Sequence, residues 1–255
     1  MIRLKSQEEI KQLREGGRIL AHILDELGVA AVPGATGADL EVIAQRMVAE
    51  YNVKAAFYGY RGKGHPPYPA ATCISVNDAV VHGIPTDKPF EEGDLVGIDM
   101  GIIYEGLYLD SARTVGVGTL ADEAQTLLDV TIEALNRGIA AAQVGNTTGH
   151  IGEAVQQYIE SQGSQYGIVT QLVGHGVGYD VHEDPQVPNV GHAGEGPVLE
   201  SGLVIAVEPM VTIGDPTIET AADDWTIVTQ TGGLAAHQEH TIAVTADGPL
   251  ILTER

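Results

Sequence analysis

Gly93-Asp-Leu-Val-Gly-Ile-Asp99 and Gly202-Leu-Val-Ile-Ala-Val-Glu208 decide the reading of this chain. Each runs from a glycine through apolar residues to a carboxylate six positions on, so each predicts a buried strand that delivers one acid. An ionised carboxylate in such a strand costs several kcal/mol unless a cation or hydrogen-bond donors meet it. Two more acids stand in the same predicament. Asp110 follows Asp99 beyond a turn signal at Tyr104-Glu105-Gly106, and Glu239 precedes the strand-like His240-Thr-Ile-Ala-Val-Thr245. A hairpin turning near Tyr104 and Glu105 would set Asp99 directly opposite Asp110 at about 5 Å, where like charges repel. Four carboxylates carry four negative charges and two divalent cations carry four positive ones, so charge balance alone points to a two-metal site.

Outward from these strands the chain repeats itself. Residues 7–30 place Ile10, Leu13, Ile19, Leu20, Ile23, Leu24 and Leu27 at helical spacing until Pro33-Gly34 stops them, and Asp39 to Tyr51 forms a second amphipathic segment. Leu120 to Gln143 and Ile151 to Ser161 restate the pattern, with Thr36 and Thr147 just ahead of the second helix in each half. The spacing is too long for a solenoid. It predicts an α+β domain spanning 1–255, made of two related halves, 1–118 and 119–255, packed about a pseudo-twofold axis with one site between them. No Pro- or Ser-rich linker divides the chain.

Composition narrows the class. The 255 residues hold 44% apolar side chains, enough for a core, and 13 Lys plus Arg against 35 Asp plus Glu. A net charge of −22 repels phosphate backbones and anionic lipid, which argues against nucleic acid and membrane as direct partners. No block of five like charges occurs, so the acids read as a solvated surface of the kind that concentrated salt screens. The first residues lack the apolar run of a signal peptide, and the single cysteine, Cys73, suits a reducing compartment; both predict a cytoplasmic protein.

Nitrogen ligands have a visible source. His175 sits in Val173-Gly-His-Gly-Val-Gly178, His182 precedes Glu183-Asp-Pro, and His82 stands in Val81-His-Gly-Ile-Pro85. A lone histidine is more often a satisfied polar residue than a ligand, and the other six histidines are read as surface or structural.

Taken together, Cys73-Ile-Ser-Val-Asn77, Val81-His-Gly-Ile-Pro85, the Asp99 to Asp110 segment, Gly174-His-Gly-Val-Gly178, His182-Glu-Asp-Pro185, Val207-Glu-Pro-Met210 and Glu239-His-Thr241 resemble the type I methionine aminopeptidases over nearly the whole chain. The resemblance implies the pita-bread fold and an enzyme that removes the N-terminal methionine of nascent proteins. It also implies two divalent ions drawn from Mn, Fe(II), Co or Zn, which hold a hydroxide between them. Asp99 would hold one ion through both oxygens, Asp110 and Glu239 would bridge the pair, and His175 and Glu208 would complete the other shell. His82 would meet the amide beyond the scissile bond, His182 would stabilise the tetrahedral intermediate, and Glu208 would shuttle the proton. Tyr68, Cys73 and Trp225, with Phe57 and Tyr60 nearby, would form the methionine pocket. The implied protein is a monomer in transient contact with the ribosome.

Two departures bear on selectivity. Val181 stands where phenylalanine is usual in that family, and the loop from Tyr60 to Tyr68 is longer than usual. A Xaa-Pro aminopeptidase or prolidase is the nearest rival, because Gly178-Tyr-Asp-Val-His-Glu-Asp-Pro185 resembles that branch as well; a non-catalytic binding protein on the same fold is another. Cys73-Ile-Ser-Val-Asn77 and Glu208-Pro-Met210 favour the methionine branch, and a full ligand set argues against a non-catalytic protein.

Overall fold

The computed structural model describes residues 1–255 apart from Lys63. Four long helices form where apolar spacing calls for them. Helix α1 (Gln7–Ala30) buries Leu13, Leu20, Ile23, Leu24 and Leu27, and a Ser6–Glu9 capping box starts it. The others are α2 (Gly37–Glu50), α3 (Asp122–Ala141) and α4 (Thr148–Gln162). Helices α2 and α4 begin two to three residues earlier than the apolar pattern indicates, because Thr36 and Thr147 act as N-caps and fix the first turn. Thr36 pairs with Asp39, and Thr147 with His150, whose Nδ1 accepts the Thr147 N–H at 3.0 Å. Both cap threonines also bridge to a later extended segment, Thr36 to Pro89 and Thr147 to Val198.

A hairpin of two ten-residue strands, Leu95–Tyr104 against Leu107–Gly116, carries the first two acids. Its register differs from the expected one. Tyr104 pairs with Leu107, so Glu105 and Gly106 are the turn, with φ of 49° and 88°. A two-residue hairpin turn of this kind needs positive φ at both central positions, which glycine accepts and a bulky tyrosine resists. Asp99 therefore stands opposite Ala112, and Asp110 opposite Gly101. The two carboxylates are diagonal rather than directly opposed, and because the shift is a whole pleat they keep one face.

The remaining acids come from a five-stranded sheet. Val204–Val207 pairs with His240–Thr245, with Val207 opposite His240, so Glu208 and Glu239 are the next residues on the two strands. Gly174–Gly176, which carries His175, joins the other side of Val204–Val207 through Gly176 and Ile205. Side chains stitch the two sheets together. Thr241 Oγ1 donates to the Asp110 carbonyl at 2.6 Å and accepts its N–H at 3.1 Å; Ser111 Oγ donates to the Glu239 carbonyl at 2.8 Å. The Glu239 N–H donates to the Ala112 carbonyl at 2.9 Å.

The largest apolar cluster lies between α1, α2 and the hairpin, and it takes in Val177, Val204, Ala243 and Leu252 from the later half. No helix among the described residues is long and apolar enough to cross a membrane.

One buried acid serves the frame. Glu41 on α2 accepts the Ala71 N–H (2.7 Å), the Thr72 N–H (2.9 Å) and the Thr72 hydroxyl (2.6 Å), fixing the start of the strand Thr72–Val76, where Cys73 pairs with Asp99. Glu41→Ala strands two buried N–H groups and lowers unfolding stability in urea by on the order of 3 kcal/mol, with Glu41→Gln losing less.

Candidate metal centre

A cavity of about 770 Å³ opens between the two sheets. Asp99, Asp110, Glu208 and Glu239 all line it. Asp110 is 5% exposed and Glu239 3%, and Asp99 Oδ1, Asp110 Oδ1 and Glu239 Oε1 are buried with no hydrogen-bond partner. Burial pushes every one of these carboxyls up. Asp110 is raised to about 7, against partly offsetting hydrogen bonds from Ser111 and Asp99. Asp99, Glu208 and Glu239 are held well above the usual range, first by burial and then by the neighbouring Asp110 charge.

His175 completes the cluster. Its Nδ1 bonds the Gly176 carbonyl at 2.9 Å, which places that proton on Nδ1 and leaves the Nε2 lone pair facing the acids. Nε2 lies 3.4 Å from Glu208 Oε1 and 4.0 Å from Asp110 Oδ2. Burial, reinforced by His182, drives the imidazole down to about 3, so it is neutral and free to ligate. One ligand-type atom each from Asp110, His175 and Glu239 falls within 4.8 Å of the other two. Orphaned carboxylate oxygens, acids that cannot ionise unaided and an imidazole lone pair aimed among them are the donor set that divalent cations take.

The groove beside the acids is lined by further histidines. His82 adopts a left-handed φ of 60°, a costly conformation for a non-glycine residue, and Gly83 behind it leaves no room for a Cβ, which would lie 2.2 Å from the Ile74 carbonyl oxygen. Burial lowers His82 to about 4 and also lowers His182. His182 packs edge-on against His175, with ring centroids 4.4 Å apart, and its Nδ1 meets the Tyr60 hydroxyl at 2.8 Å. Tyr60, despite its longer loop, thus stands at the groove. Behind His182, Glu183 accepts from Lys5 Nζ at 2.9 Å and from the Asp180 N–H at 3.0 Å.

Phe57, Tyr68, Cys73, Trp225 and Val181 pack as one apolar cluster at the end of the cavity. Tyr68 stands edge-on to Trp225 at 5.1 Å, and its hydroxyl donates to the Gly83 carbonyl at 2.8 Å. Phe57, Tyr60, Tyr68, Cys73 and Trp225 line the cavity; Val181, 3% exposed, belongs to the cluster without being part of the wall.

Two histidines read from sequence as surface or structural are in the cavity instead. His65 packs against Trp225 with centroids 5.0 Å apart, and buried His237 sits 3.7 Å from Glu208. His65 lies in the loop whose extra length hid its direction. His237 did carry a signal: it precedes Glu239 by two residues, so in a strand it shares that residue's face.

Residues 11–246 match the model of metallopeptidase family M24. The chain is 44% identical to a methionine aminopeptidase of Clostridium acetobutylicum, over 99% of each chain. This chain belongs to the M24 metallopeptidases, among the methionine aminopeptidases. Its backbone superposes on a crystal structure of methionine aminopeptidase from Thermotoga maritima with a TM-score of 0.95, 41% identity and full coverage of both chains. A prolidase from Pyrococcus horikoshii shares the fold at a TM-score of 0.76 and 25% identity, but this chain covers only 63% of it. The α+β architecture is therefore the pita-bread fold of these metalloenzymes, and the methionine aminopeptidases match this chain better than the prolidase does.

The buried acids set the pH response of the metal-free protein. Above about pH 7.5, a unit beyond the free imidazole's midpoint, the buried histidines are neutral whether the chain is folded or not. The carboxyls, raised in the folded state to about 7 for Asp110 and well above the usual carboxylate range for its neighbours, still hold protons that the unfolded chain has released. Folded protein binding more protons than unfolded means stability falls as pH rises. The thermal midpoint of chelator-treated protein should drop between roughly pH 7.5 and 8.5, and saturating Mn²⁺ should abolish that drop, as read by scanning calorimetry.

Proposed function

We propose that this chain is a methionyl aminopeptidase that hydrolyses the first peptide bond of peptides and nascent proteins beginning with methionine, using two divalent ions drawn from Mn, Fe(II), Co or Zn. The gathering of four carboxyls, those of Asp110 and Glu239 buried, and one neutral imidazole in a cavity beside an apolar pocket carries this reading. Asp99, Asp110, His175, Glu208 and Glu239 would hold the ions. Bound there, the ions supply a water-derived nucleophile near neutral pH and Lewis acidity for the scissile carbonyl.

The protein's own side chains do the rest. Phe57, Tyr68, Cys73 and Trp225 accept an unbranched thioether side chain by shape and dispersion, and exclude water from the reacting centre. Glu208, whose carboxyl burial has made a good proton holder, takes the proton from the attacking water and passes it to the leaving amine. His82 and His182 are neutral at working pH and act as hydrogen-bond donors, His82 to the amide beyond the cleaved bond and His182 to the oxyanion. The Tyr60 hydroxyl donates to His182 Nδ1, which places the imidazole proton on Nε2, the tautomer an oxyanion donor needs. Val181, behind the wall, leaves the pocket with one aromatic fewer and so with a looser grip on methionine. We place the enzyme in the cytoplasm as a monomer that meets chains leaving the ribosome transiently, with salt screening the repulsion its −22 charge would otherwise feel there.

Metal titration should give two equivalents, and a Met-Gly-Met tripeptide should be cleaved where an Ala-Pro peptide is not. Asp110→Ala or Glu239→Ala removes a ligand; each should bind fewer than two ions and lose more than about a hundredfold in kcat/KM, beyond what an outer partner costs. Full activity in either variant would overturn the reading. Tyr60→Phe should keep both ions and KM while kcat falls by roughly tenfold, the worth of one good hydrogen bond; steady-state kinetics on the same tripeptide checks it.

A further inference from the structure

Glu208 is flanked by an imidazole on each oxygen: His175 Nε2 lies 3.4 Å from Oε1, and His237 Nε2 lies 3.7 Å from Oε2. The function proposed above makes no use of His237. Yet it is 4% exposed, lines the same cavity, and its Nε2 is buried with no partner. Leaving a buried polar nitrogen unpaired is unfavourable, and an apolar side chain of similar size would avoid that cost.

Its backbone is held firmly. The Thr114 hydroxyl accepts the His237 N–H at 2.9 Å and donates to its carbonyl at 2.8 Å, while His237 pairs across the sheet with Met210, two residues beyond Glu208. The imidazole is thereby fixed beside that carboxylate. At 3.7 Å the pair is just outside hydrogen-bond range, and a small rotation of the Glu208 side chain brings it within range. His237 stands outside the group of atoms from Asp110, His175 and Glu239 that lie within 4.8 Å of one another.

We propose that His237 is a positioning residue for Glu208: its Nε2–H donates to Oε2 and keeps Oε1 turned toward the metal centre. The inference rests on the reading of Glu208 as a ligand. A neutral donor that bonds the outer oxygen of a ligating carboxylate fixes its orientation without adding charge, and such outer partners govern affinity by roughly 10 to 100-fold.

The test compares His237→Leu, which keeps the bulk and removes the donor, with His237→Gln, whose amide N–H reaches a similar point. Calorimetric Mn²⁺ titration of the chelator-treated full chain reads ion number and affinity, and tripeptide kinetics reads kcat and KM. The expected result is that His237→Leu still binds two ions, one of them at least tenfold more weakly. Its kcat falls about tenfold at unchanged KM, and His237→Gln recovers both within about threefold. The proposal fails if His237→Leu matches the unaltered protein. It also fails if His237→Gln is no better than His237→Leu, or if both lose a whole ion, which would make His237 a ligand. Should His237→Leu not fold, His237→Asn replaces it: its amide is too short to reach, so Asn impaired with Gln intact supports the role and equal behaviour refutes it. If the unaltered protein binds no divalent ion, the metal reading itself falls; two ions with an indifferent His237→Leu defeat only the role of His237.

Discussion

The mutual repulsion of four carboxyls gathered in one cavity is the constraint around which the rest of the molecule is arranged. Nothing in an apolar interior favours such a cluster, and the chain holds it in place by tying its carriers together through backbone and hydroxyl groups. Thr241, Ser111 and the Glu239 amide bind the hairpin to the five-stranded sheet immediately beside the acids. The acids are thus held by covalently and hydrogen-bonded strands whose stability comes from apolar clusters on either side. Folding stability drawn from those cores offsets the electrostatic cost until cations remove it.

The same arrangement separates the tasks of the cavity. One wall is oxygen-rich and demands charge; the far end is aromatic and sulfur-bearing and rejects it. Between them lie neutral histidines, kept uncharged by burial, which can donate hydrogen bonds without competing electrostatically with cations. His82 is pressed into an unfavourable backbone conformation there, next to the tight passage at Gly83.

Much of this was legible before any coordinates. The strand that carries Asp99 and the one that leads into Glu208 announce themselves because acids are rare in unbroken apolar runs, and α1 and α3 follow from apolar spacing alone. Local chemistry that spacing does not encode was harder to read. The hairpin register depends on which dipeptide tolerates positive φ, and placing the turn one residue early put Asp99 opposite Asp110 when it faces Ala112. His237 and His65 looked like ordinary polar residues, since only the assembled cavity brings one to Glu208 and the other to Trp225. Val181, beside His182, packs in one cluster with Phe57, Tyr68, Cys73 and Trp225 without reaching the cavity, which its place in the sequence does not reveal.

The hydroxyl of Thr241 illustrates how little material couples the two sheets. One oxygen both gives to and receives from the main chain of Asp110, so neither ladder can slide without disturbing the other. Loosening of either half in solution would therefore scatter the donor atoms at once.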